Sequence, residues 1–423
     1  MRKLQVVFGL GFGDEGKGSV VDYLSYDSGA DLIIKPNGGS QAAHNVVLPD
    51  GTHHTFAAFG SGSFHGTRTY LAHNFLVDPV AILLEAEKLA PKLLISVDEL
   101  LDRLIISDFC AVVTPWHILL NRLKERSNKH GSCGMGIGET RRYTLKYGDY
   151  ITVGDIVNNI DKAYKNADLC KQRLLIDAQD YIIDEETLEI VLEMARQCPC
   201  EFISRAFNVL NKCTLSTFIP DQFTNIIVEY SQGLLLDEYY GFHPHTTWSR
   251  TTPGDGGIII LENDMEVTTY GVIRGYHTRH GNGPFPSYMP DKKIESDHNT
   301  QNEWQGEFRF GAFDSQLFEY SLSIVGKYID GVFVTCLDHA DNGIDFCTHY
   351  TNELNDRVTI VDKSEPNPFF LKAQEILGKH LSKIKPNIIN ITIEELLDYI
   401  NKKSNVLGLS TGPTYKDKEL CVM

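Results

Sequence analysis

The stretch GLGFGDEGKGS, residues 9–19, ends an apolar run that starts at Leu4, and a second apolar run, VVDYLS, follows it. An apolar run that breaks into glycines and resumes with helical spacing predicts a strand, a tight turn and a helix. Glycines let the backbone approach a ligand closely, and the free N–H groups at a helix N-terminus attract an anion. The stretch therefore predicts the first strand–helix unit of a parallel sheet, with a phosphate site at its turn.

Two patterns of phosphate-binding loops fit this stretch in part. A G-x-G-x-x-G dinucleotide fingerprint starts at Gly11, and a P-loop pattern runs from Gly11 to Lys17 until Gly18 replaces the required Ser or Thr. The glycine spacing is also compatible with a turn that binds no ligand. Asp14 and Glu15 favour a ligand, because carboxylates beside a phosphate repel it unless a cation intervenes or the carboxylate has a chemical role.

The rest of the chain continues the alternation of strands and helices. Short β-rich runs such as ADLIIKP (30–36) alternate with helical patterns such as PVAILLEAEKLA (79–90) and TVGDIVNNIDKAYKN (152–166), and no repeat or linker divides the 423 residues. This order predicts an α/β fold, with a single large domain over residues 1–423 around a mostly parallel central sheet with long functional loops. We expect ligands where the carboxyl ends of the strands run into those loops.

Composition excludes several classes of protein. The formal net charge is −17, from 39 Lys and Arg against 56 Asp and Glu, which argues against nucleic acid or an anionic membrane as a partner. No apolar run approaches the ~20 residues that span a bilayer, and the N-terminus lacks the pattern of a signal peptide. The nine cysteines are scattered, which is typical of reduced thiols. We therefore expect a cytoplasmic protein.

A second glycine cluster, KPNGGSQAAHNVV (35–47), follows the second apolar strand and carries His44. We expect this strand to lie beside the first one, so that Asp14 and His44 face one site. A carboxylate and an imidazole can act as base and acid, or as metal ligand and electrophile. A histidine hydrogen-bonded within a turn is the alternative interpretation of His44.

A third cluster, HGSCGMGIGETRR (130–142), combines glycines with the pair Arg141 and Arg142. Backbone amides and a guanidinium fork suit a phosphate monoester, although a surface loop with a solvated basic pair has the same composition. Two phosphate-type loops in one chain indicate two phosphorylated ligands rather than one dinucleotide. A fourth cluster, YSQGLLLD (230–237) with HPHTTWSR (243–250), offers neutral donors that suit a base edge or a phosphate.

In this order, these stretches resemble the motifs of the adenylosuccinate synthetase family. FGDEGKGS matches W-G-D-E-G-K-G-K, GGSQAAH matches G-G-x-N-A-G-H loosely, and SCGMGIGE matches T-T-x-x-G-I-G-P; EYSQGLLLD, TWSRTTPGDGG, TRHGNGPFPS and STGP match four later motifs. The match covers essentially the full chain. Its most specific parts are GDEGKG, QGLLLD and GNGPFP, and their shared order makes chance an implausible explanation.

The resemblance implies a ligase reaction in two steps. In that family the loop aspartate takes the N1 proton of a 6-oxopurine nucleotide, O6 attacks the γ-phosphate of GTP or ATP, and L-aspartate displaces the 6-phosphoryl group. By resemblance the catalytic residues are Asp14 as base, His44 as acid or electrophile, and Lys17. The implied cofactor is Mg²⁺, with Asp14 and Ala43 as metal ligands. The implied residues that bind the nucleotide phosphates are Gly13, Glu15, Gly16, Gly18 and Ser19.

The resemblance also implies the remaining binding residues and the assembly. Arg309 in GEFRFG would bind the carboxylates of L-aspartate, and family members are usually homodimers in which an arginine, here Arg141 or Arg142, crosses to the partner's acceptor site. The implied contacts of the acceptor, a purine nucleoside monophosphate, are Asn37, Gln41, Ser132, Arg142, Gln232 and Thr247, and those of the donor base are Asp338, Ser410 and Gly412.

Several positions depart from the family pattern. The run of arginines in the aspartate loop is reduced to Arg309, the asparagine before A-G-H is Gln41, and the lysine of the guanine-reading K-L-D triplet is Cys336. These changes suggest altered substrates. We expect this chain to lie nearer to the phage-type 2-aminoadenylosuccinate synthetases, which join aspartate to dGMP and can use ATP.

Two alternatives stay open from the sequence, and a third is disfavoured. One is the housekeeping adenylosuccinate synthetase, acting on IMP with GTP. Another is a nucleotide-binding regulatory protein without turnover, which the reduced arginine loop favours and the retained Asp14, Lys17 and His44 oppose. The third, an NAD-dependent dehydrogenase, requires an acidic residue near position 36, and IIKPNGGS provides none.

Overall fold

The glycine stretch joins a strand to a helix, as its sequence predicts. The strand ends at Gly9 and the helix begins at Lys17, directly after Gly16, whose φ of 87° lies in the left-handed region that favours glycine. The computed structural model describes residues 2–127, 132–253, 265–292, 294, 307–340, 343–352, 354–358 and 368–421. Residues 130 and 131 of the third glycine cluster, and the end of the motif TWSRTTPGDGG from residue 254, lie outside the described residues.

The strands are β1 (Arg2–Gly9), β2 (Leu32–Lys35), β3 (His44–Val47), β4 (His53–Phe56), β5 (Arg68–Leu71), β6 (Leu104–Ile106), β7 (Thr214–Leu215), β8 (Asn225–Gly233), β9 (Met265–Arg274), β10 (His277–His280), β11 (Phe308–Gly311), β12 (Phe313–Asp314), β13 (Gly331–Thr335), β14 (Ile344–Thr351), β15 (Arg357–Val358), β16 (Lys385–Ile391), β17 (Val406–Ser410) and β18 (Lys418–Leu420).

The helices are α1 (Lys17–Ser28), α2 (Pro79–Leu89), α3 (Val97–Asp102), α4 (Pro115–Ser127), α5 (Ile137–Lys146), α6 (Val153–Asn158), α7 (Ile160–Ala178), α8 (Glu185–Arg196), α9 (Pro199–Leu210), α10 (Ser315–Val325), α11 (Pro368–Leu381) and α12 (Ile393–Asn401). In the described part of the chain no helix is long and apolar enough to cross a membrane.

A 10-stranded sheet organises the molecule, in the order β18-β17-β13-β9-β1-β8-β2-β5-β6-β7. Every neighbouring pair in it is parallel except β17 and β18. Both faces are covered, since alternate residues of β1 pack into different hydrophobic clusters, with Val6 on one side and Val7 on the other. The predicted fold class, α/β around a mostly parallel central sheet, is confirmed.

The sheet fixes the position of α1, and with it the glycine turn. Val20, Val21 and Leu24 of this helix are buried in one cluster with Val7 of β1. The N-terminus of α1 therefore lies at the carboxyl end of β1, where ligands bind in sheets of this kind.

The predicted neighbourhood of the first two strands is wrong. β8 pairs in parallel with both β1 and β2 and so lies between them. Chain order alone does not set strand order, because a strand more than 190 residues away along the chain takes the central place. His44 also does not end the second strand: it is the first residue of β3, which among the described strands pairs only with β4, in a separate hairpin.

One helical prediction is refined, and one helix was not predicted. The pattern over residues 152–166 forms two helices, because Asn159 leaves the helical conformation and its side chain accepts the backbone N–H of Lys162 to start the second one. The sequence interpretation also missed α9, which begins at Pro199, a residue suited to the first turn of a helix.

Candidate active site

A cleft of 1370 Å³ opens at the carboxyl ends of β1, β8, β9, β13 and β17. This is the edge of the sheet where the sequence predicts ligands. The structure brings many of the predicted site residues to the wall of this cleft: Gly13, Asp14, Gly16, Lys17, Gly18, Ser19, Gln41, Ala43, His44, Ser132, Gln232, Thr247, Asp338, Ser410 and Gly412.

Glu15 does not face the cleft. Its buried carboxylate accepts the backbone N–H groups of Gly11 at 3.0 Å and Gly13 at 2.8 Å, and the ammonium of Lys17 at 2.5 Å. A Cβ on Gly233 would lie 2.3 Å from this carboxylate, so the turn closes tightly around it. Because a carboxylate cannot donate hydrogen bonds to a phosphate, Glu15 serves here as the internal partner of the turn rather than as part of its binding surface.

Asp14 presents its carboxylate to the cleft. Its side chain is 33% exposed, and its Oδ2 lies 3.3 Å from Nε2 of His280. Asp14 has a φ of 59°, in the left-handed region, and two further cleft residues, Gln232 and Cys336, have φ values of 65° and 56°. Such conformations cost roughly 1–3 kcal/mol each and are found mostly at functional sites, where the surrounding structure imposes them.

His44 is oriented by a buried carboxylate on the central strand β8. Its Nδ1 lies 2.5 Å from Oε1 of Glu229, which leaves Nε2 as the ring nitrogen that can contact a ligand. Ser61 donates both its backbone N–H and its hydroxyl to the same carboxylate. Burial alone would favour the neutral acid, but the positive charge of Lys35, the interaction with His44 and these hydrogen bonds lower the pKa of Glu229 to about 2.

The structure also accounts for the protonation state of His44. Burial of the imidazole lowers its pKa, and the attraction of Glu229 offsets this only in part. In the absence of ligand the ring is therefore neutral at pH 7, with its Nδ1 proton donated to Glu229.

Of the adjacent arginines on α5, only Arg141 lines the cleft. The guanidinium of Arg142 instead donates to Glu139 and to Asp177, both at 2.8 Å. Successive residues of a helix point about 100° apart, so one member of the pair faces the cleft and the other faces the neighbouring helix α7.

Two other predicted binding residues lie outside the cleft wall. Arg309 on β11 donates to the backbone carbonyls of Gly281 and Gly283, at 2.6 and 3.1 Å. Asn37 is buried, where its Oδ1 accepts the N–H of Ser231 at 3.0 Å. Its Nδ2 also donates to Ser249 at 3.1 Å. Asn37 therefore ties the end of β2 to β8 and to the loop that follows it.

Sequence reasoning missed several cationic or titratable residues of the cleft, among them Arg274, Arg279 and His280. Arg279 is buried against the ring of Phe12, with 4.2 Å between guanidinium and ring centre, and donates to the carbonyls of Asn282, Pro284 and His245. Burial lowers the pKa of Arg279 to about 9. The available signal was the position of these residues at the ends of two β-rich runs, VTTYGVIR and HTRH.

Comparison with known proteins identifies the family. A model of the adenylosuccinate synthetase family matches residues 6–378. The adenylosuccinate synthetase of Marinomonas sp. is 28% identical over 444 aligned positions, which cover 98% of this chain and 97% of the relative. That of Mycobacterium leprae is 29% identical over 351 positions, covering 79% and 76% of the two chains.

Two solved structures share the fold. One is a fully ligated adenylosuccinate synthetase from Plasmodium falciparum, with a TM-score of 0.73, 18% identity and 99% of each chain covered. The other is the succinoaminodeoxyadenylate synthetase of cyanophage S-2L, bound to dGMP and to dATP as an energy donor, with a TM-score of 0.60, 16% identity and 100% and 96% covered. The chain therefore belongs to the adenylosuccinate synthetase family of ligases, which form a C–N bond between aspartate and a purine nucleotide.

Proposed function

We propose that this ligase joins L-aspartate to C6 of dGMP, through a 6-phosphoryl intermediate made from a nucleoside triphosphate, giving N6-succino-2-aminodeoxyadenylate. The observation that carries the chemistry is the convergence of Asp14, Lys17 and His44 on one cleft. A carboxylate, an ammonium and an imidazole are the groups needed to move a proton and to neutralise a transferring phosphoryl group.

In the first step Asp14 takes the proton from N1 of the base, which places negative charge on O6. O6 attacks the γ-phosphorus, so that an O6–P bond forms while the bond to the nucleoside diphosphate breaks. Lys17, held at the start of α1 by Glu15, neutralises charge on the phosphoryl oxygens together with the amides of the turn.

In the second step the amine of L-aspartate attacks C6, and phosphate leaves with O6. An amide-like oxygen is a poor leaving group and phosphate is a good one, so the triphosphate supplies the driving force. We assign the carboxylates of aspartate to the hairpin of β10 and β11, where Arg309 lies opposite Arg279 in register. Arg309 would exchange two carbonyl partners for a carboxylate, which forms stronger, charge-assisted hydrogen bonds.

His44 gains a proton when the phosphates arrive. The ring is neutral without ligand because burial lowers its pKa, and an anionic phosphoryl group beside Nε2 favours the charged imidazolium. The fixed Nδ1 contact with Glu229 stabilises the same form. His44 can then donate from Nε2 to the phosphoryl group as it transfers.

The residues present fit a Mg²⁺ ion that is bound largely by the substrate. In the described ranges no three His, Cys, Asp or Glu side chains gather as a metal cage. Mg²⁺ commonly takes one or two protein oxygens and completes its shell with phosphate oxygens and water. Asp14 and the backbone of Ala43, both on the cleft wall, would hold it, and it would neutralise charge on the donor phosphates.

The choice of dGMP rests on the acceptor side of the cleft. The side-chain oxygens of Gln41 and Gln232 are buried and accept no hydrogen bond from the described residues. Unpaired acceptors favour a base that brings an extra donor, and guanine carries a 2-amino group where hypoxanthine has a C–H. Ser132 and Thr247 also line the cleft, and we assign them to the same nucleotide.

The test measures phosphate release by purified protein with Mg²⁺ and L-aspartate, crossing dGMP and IMP as acceptors with ATP and GTP as donors. Turnover confined to dGMP is the expected result. Turnover with IMP and GTP would make the chain a housekeeping adenylosuccinate synthetase, as the relatives at 28% identity favour. Nucleotide binding without turnover in all four combinations would indicate a regulatory protein.

The variant Asp14→Asn tests the assigned base. Its amide cannot accept the N1 proton, so we expect turnover to fall by at least 10²-fold while dGMP binding, measured by calorimetry, stays within a few-fold of the native protein. Asp27→Asn is the matched control, since Asp27 is an exposed residue near the far end of α1. Native turnover in Asp14→Asn would contradict the assignment.

A further inference from the structure

At the end of the cleft away from His44, the wall includes a turn, Ser410–Thr414, that begins at the last residue of β17. Ser410 and Gly412 line the cleft beside Cys336 and Asp338, which follow β13. Under the proposed function, on which this inference rests, the base of the donor triphosphate binds at this end. What holds the turn in shape therefore bears on how well the donor binds.

Lys418 lies behind this wall and is attached to the turn. It begins β18, where it pairs with Ser410 in antiparallel register, and it is only 7% exposed. Its ammonium donates to the carbonyl of Thr414 at 2.8 Å and to that of Gly412 at 3.3 Å. It does not belong to the residues that line the cleft, so its effect on a ligand passes through the turn.

The titratable side chains around Lys418 come from three separate segments. Asp22 faces it from α1, Asp417 from the residue before it, and Cys336 and Asp338 from the segment after β13. Asp22 is itself held by His65, 2.8 Å away. Burial lowers the pKa of Lys418 to about 8, and the attraction of Asp22 and Asp417 recovers only part of this loss.

A buried lysine of this kind weakens the fold at neutral pH, since its charged form is the one that burial disfavours. An apolar side chain in its place would avoid this cost but would leave the carbonyl of Thr414 without this donor. We propose that Lys418 is a positioning residue for the donor nucleotide: it holds the turn Ser410–Thr414 in the conformation that contacts the donor base.

The variant Lys418→Met removes the ammonium while keeping an unbranched stem. We expect the KM of the donor triphosphate to rise about tenfold, with kcat and the KM values of the acceptor and of aspartate within twofold of native. We expect Lys418→Arg to recover most of the donor affinity, because a guanidinium can donate to both carbonyls. Lys416→Met is the matched control, since Lys416 is exposed two residues away and its removal leaves the two carbonyl contacts intact.

Thermal unfolding separates this role from a structural one. A residue that only supports the fold would lower the unfolding temperature of Lys418→Met and leave the donor KM of the surviving native protein unchanged, and that outcome would overturn the inference. An equal rise in all three KM values would overturn it as well. Absence of turnover in the native protein would instead overturn the proposed function. In that case calorimetric titration with ATP and GTP would compare donor binding by the native protein and by Lys418→Met, which tests the role of the turn without an activity assay.

The pH dependence of the donor KM gives a second readout. As pH rises through about 8 the ammonium loses its proton, so we expect the donor KM of the native protein to rise between pH 7 and 9.5. Arginine, unlike this buried lysine, stays charged throughout this range. A Lys418→Arg profile identical to the native one would therefore assign the change to another group and contradict the role of Lys418.

Discussion

Replacing Glu229 by Gln should separate the orientation of His44 from the integrity of the fold. The native carboxylate accepts from His44 and twice from Ser61, and it faces the fully buried Lys35, whose ammonium donates no hydrogen bond to the described residues. The amide removes the negative charge and leaves Lys35 buried without compensation. Leaving a buried charge uncompensated in this way costs about 3–5 kcal/mol.

The lowered pKa of Glu229 gives a similar estimate of the lost folding free energy. A pKa lowered from the ordinary 4.5 to about 2 corresponds to roughly 3 kcal/mol of stabilisation of the native state. For a carboxyl group whose pKa is lowered on folding, this stabilisation is complete above about pH 4.5 and is lost as pH falls toward 2. Glu229→Gln should therefore be less stable than the native protein at pH 7, and its free energy of unfolding should change less as pH falls below 4.5.

The assays are urea unfolding at several pH values and phosphate release at saturating substrates. We expect Glu229→Gln to lose about 3 kcal/mol at pH 7, and kcat to fall about 10²-fold because the imidazole no longer has a fixed, ionised partner. Glu85→Gln is the matched control: Glu85 is also buried and accepts backbone N–H groups, from Ala57 and Ala58, but its partners do not include His44. Comparable loss of kcat in both variants, or native stability in Glu229→Gln, would refute the reasoning.

Two further substitutions probe other buried groups. Gly233→Ala would place a Cβ 2.3 Å from the Glu15 carboxylate, so we expect the free energy of unfolding in urea to fall by at least 2 kcal/mol. Gly138→Ala, where a Cβ would meet open space, should be neutral. Equal urea midpoints for the two variants would contradict the tight closure of the turn. Burial raises the pKa of Asp314 to about 6, so the free energy of unfolding of the native protein should fall as pH rises from 4.5 to 6. Asp314→Asn should remove this pH dependence. An unchanged pH dependence in the variant would assign it to another group.

Short motifs carried most of what the sequence could predict about the site. The glycine turn specifies its own backbone conformation, so the location of Asp14 and Lys17 at a helix start follows from local rules. The choice between Arg141 and Arg142 did not follow, because the rotational phase of α5 depends on its packing against other helices. Glu15 was assigned to phosphate from its place in the motif, but its carboxylate turns inward and accepts from Gly11, Gly13 and Lys17, an orientation that the motif alone does not specify.

The order of the strands in the sheet could not be predicted from the sequence for a related reason. The apolar pattern of residues 225–233 predicts a buried strand, but any gap in a parallel sheet presents similar unpaired backbone groups. The place of β8 between β1 and β2 is decided by long-range packing. The same placement brings Glu229 to His44, a contact between residues 185 positions apart that no local pattern indicates.

The central place of β8 also has a consequence for how the protein is made. During synthesis, the N-terminal residues that carry Asp14, Lys17 and His44 leave the ribosome long before residues 225–233, which pair with both β1 and β2. Contacts so distant in sequence slow folding, since a long loop must close before they form. Until then β1 and β2 have unpaired edges, which are prone to aggregation. Catalytic competence should therefore arise late and as a whole, and a nascent chain that ends before β8 should depend on chaperones rather than hold a partly working site.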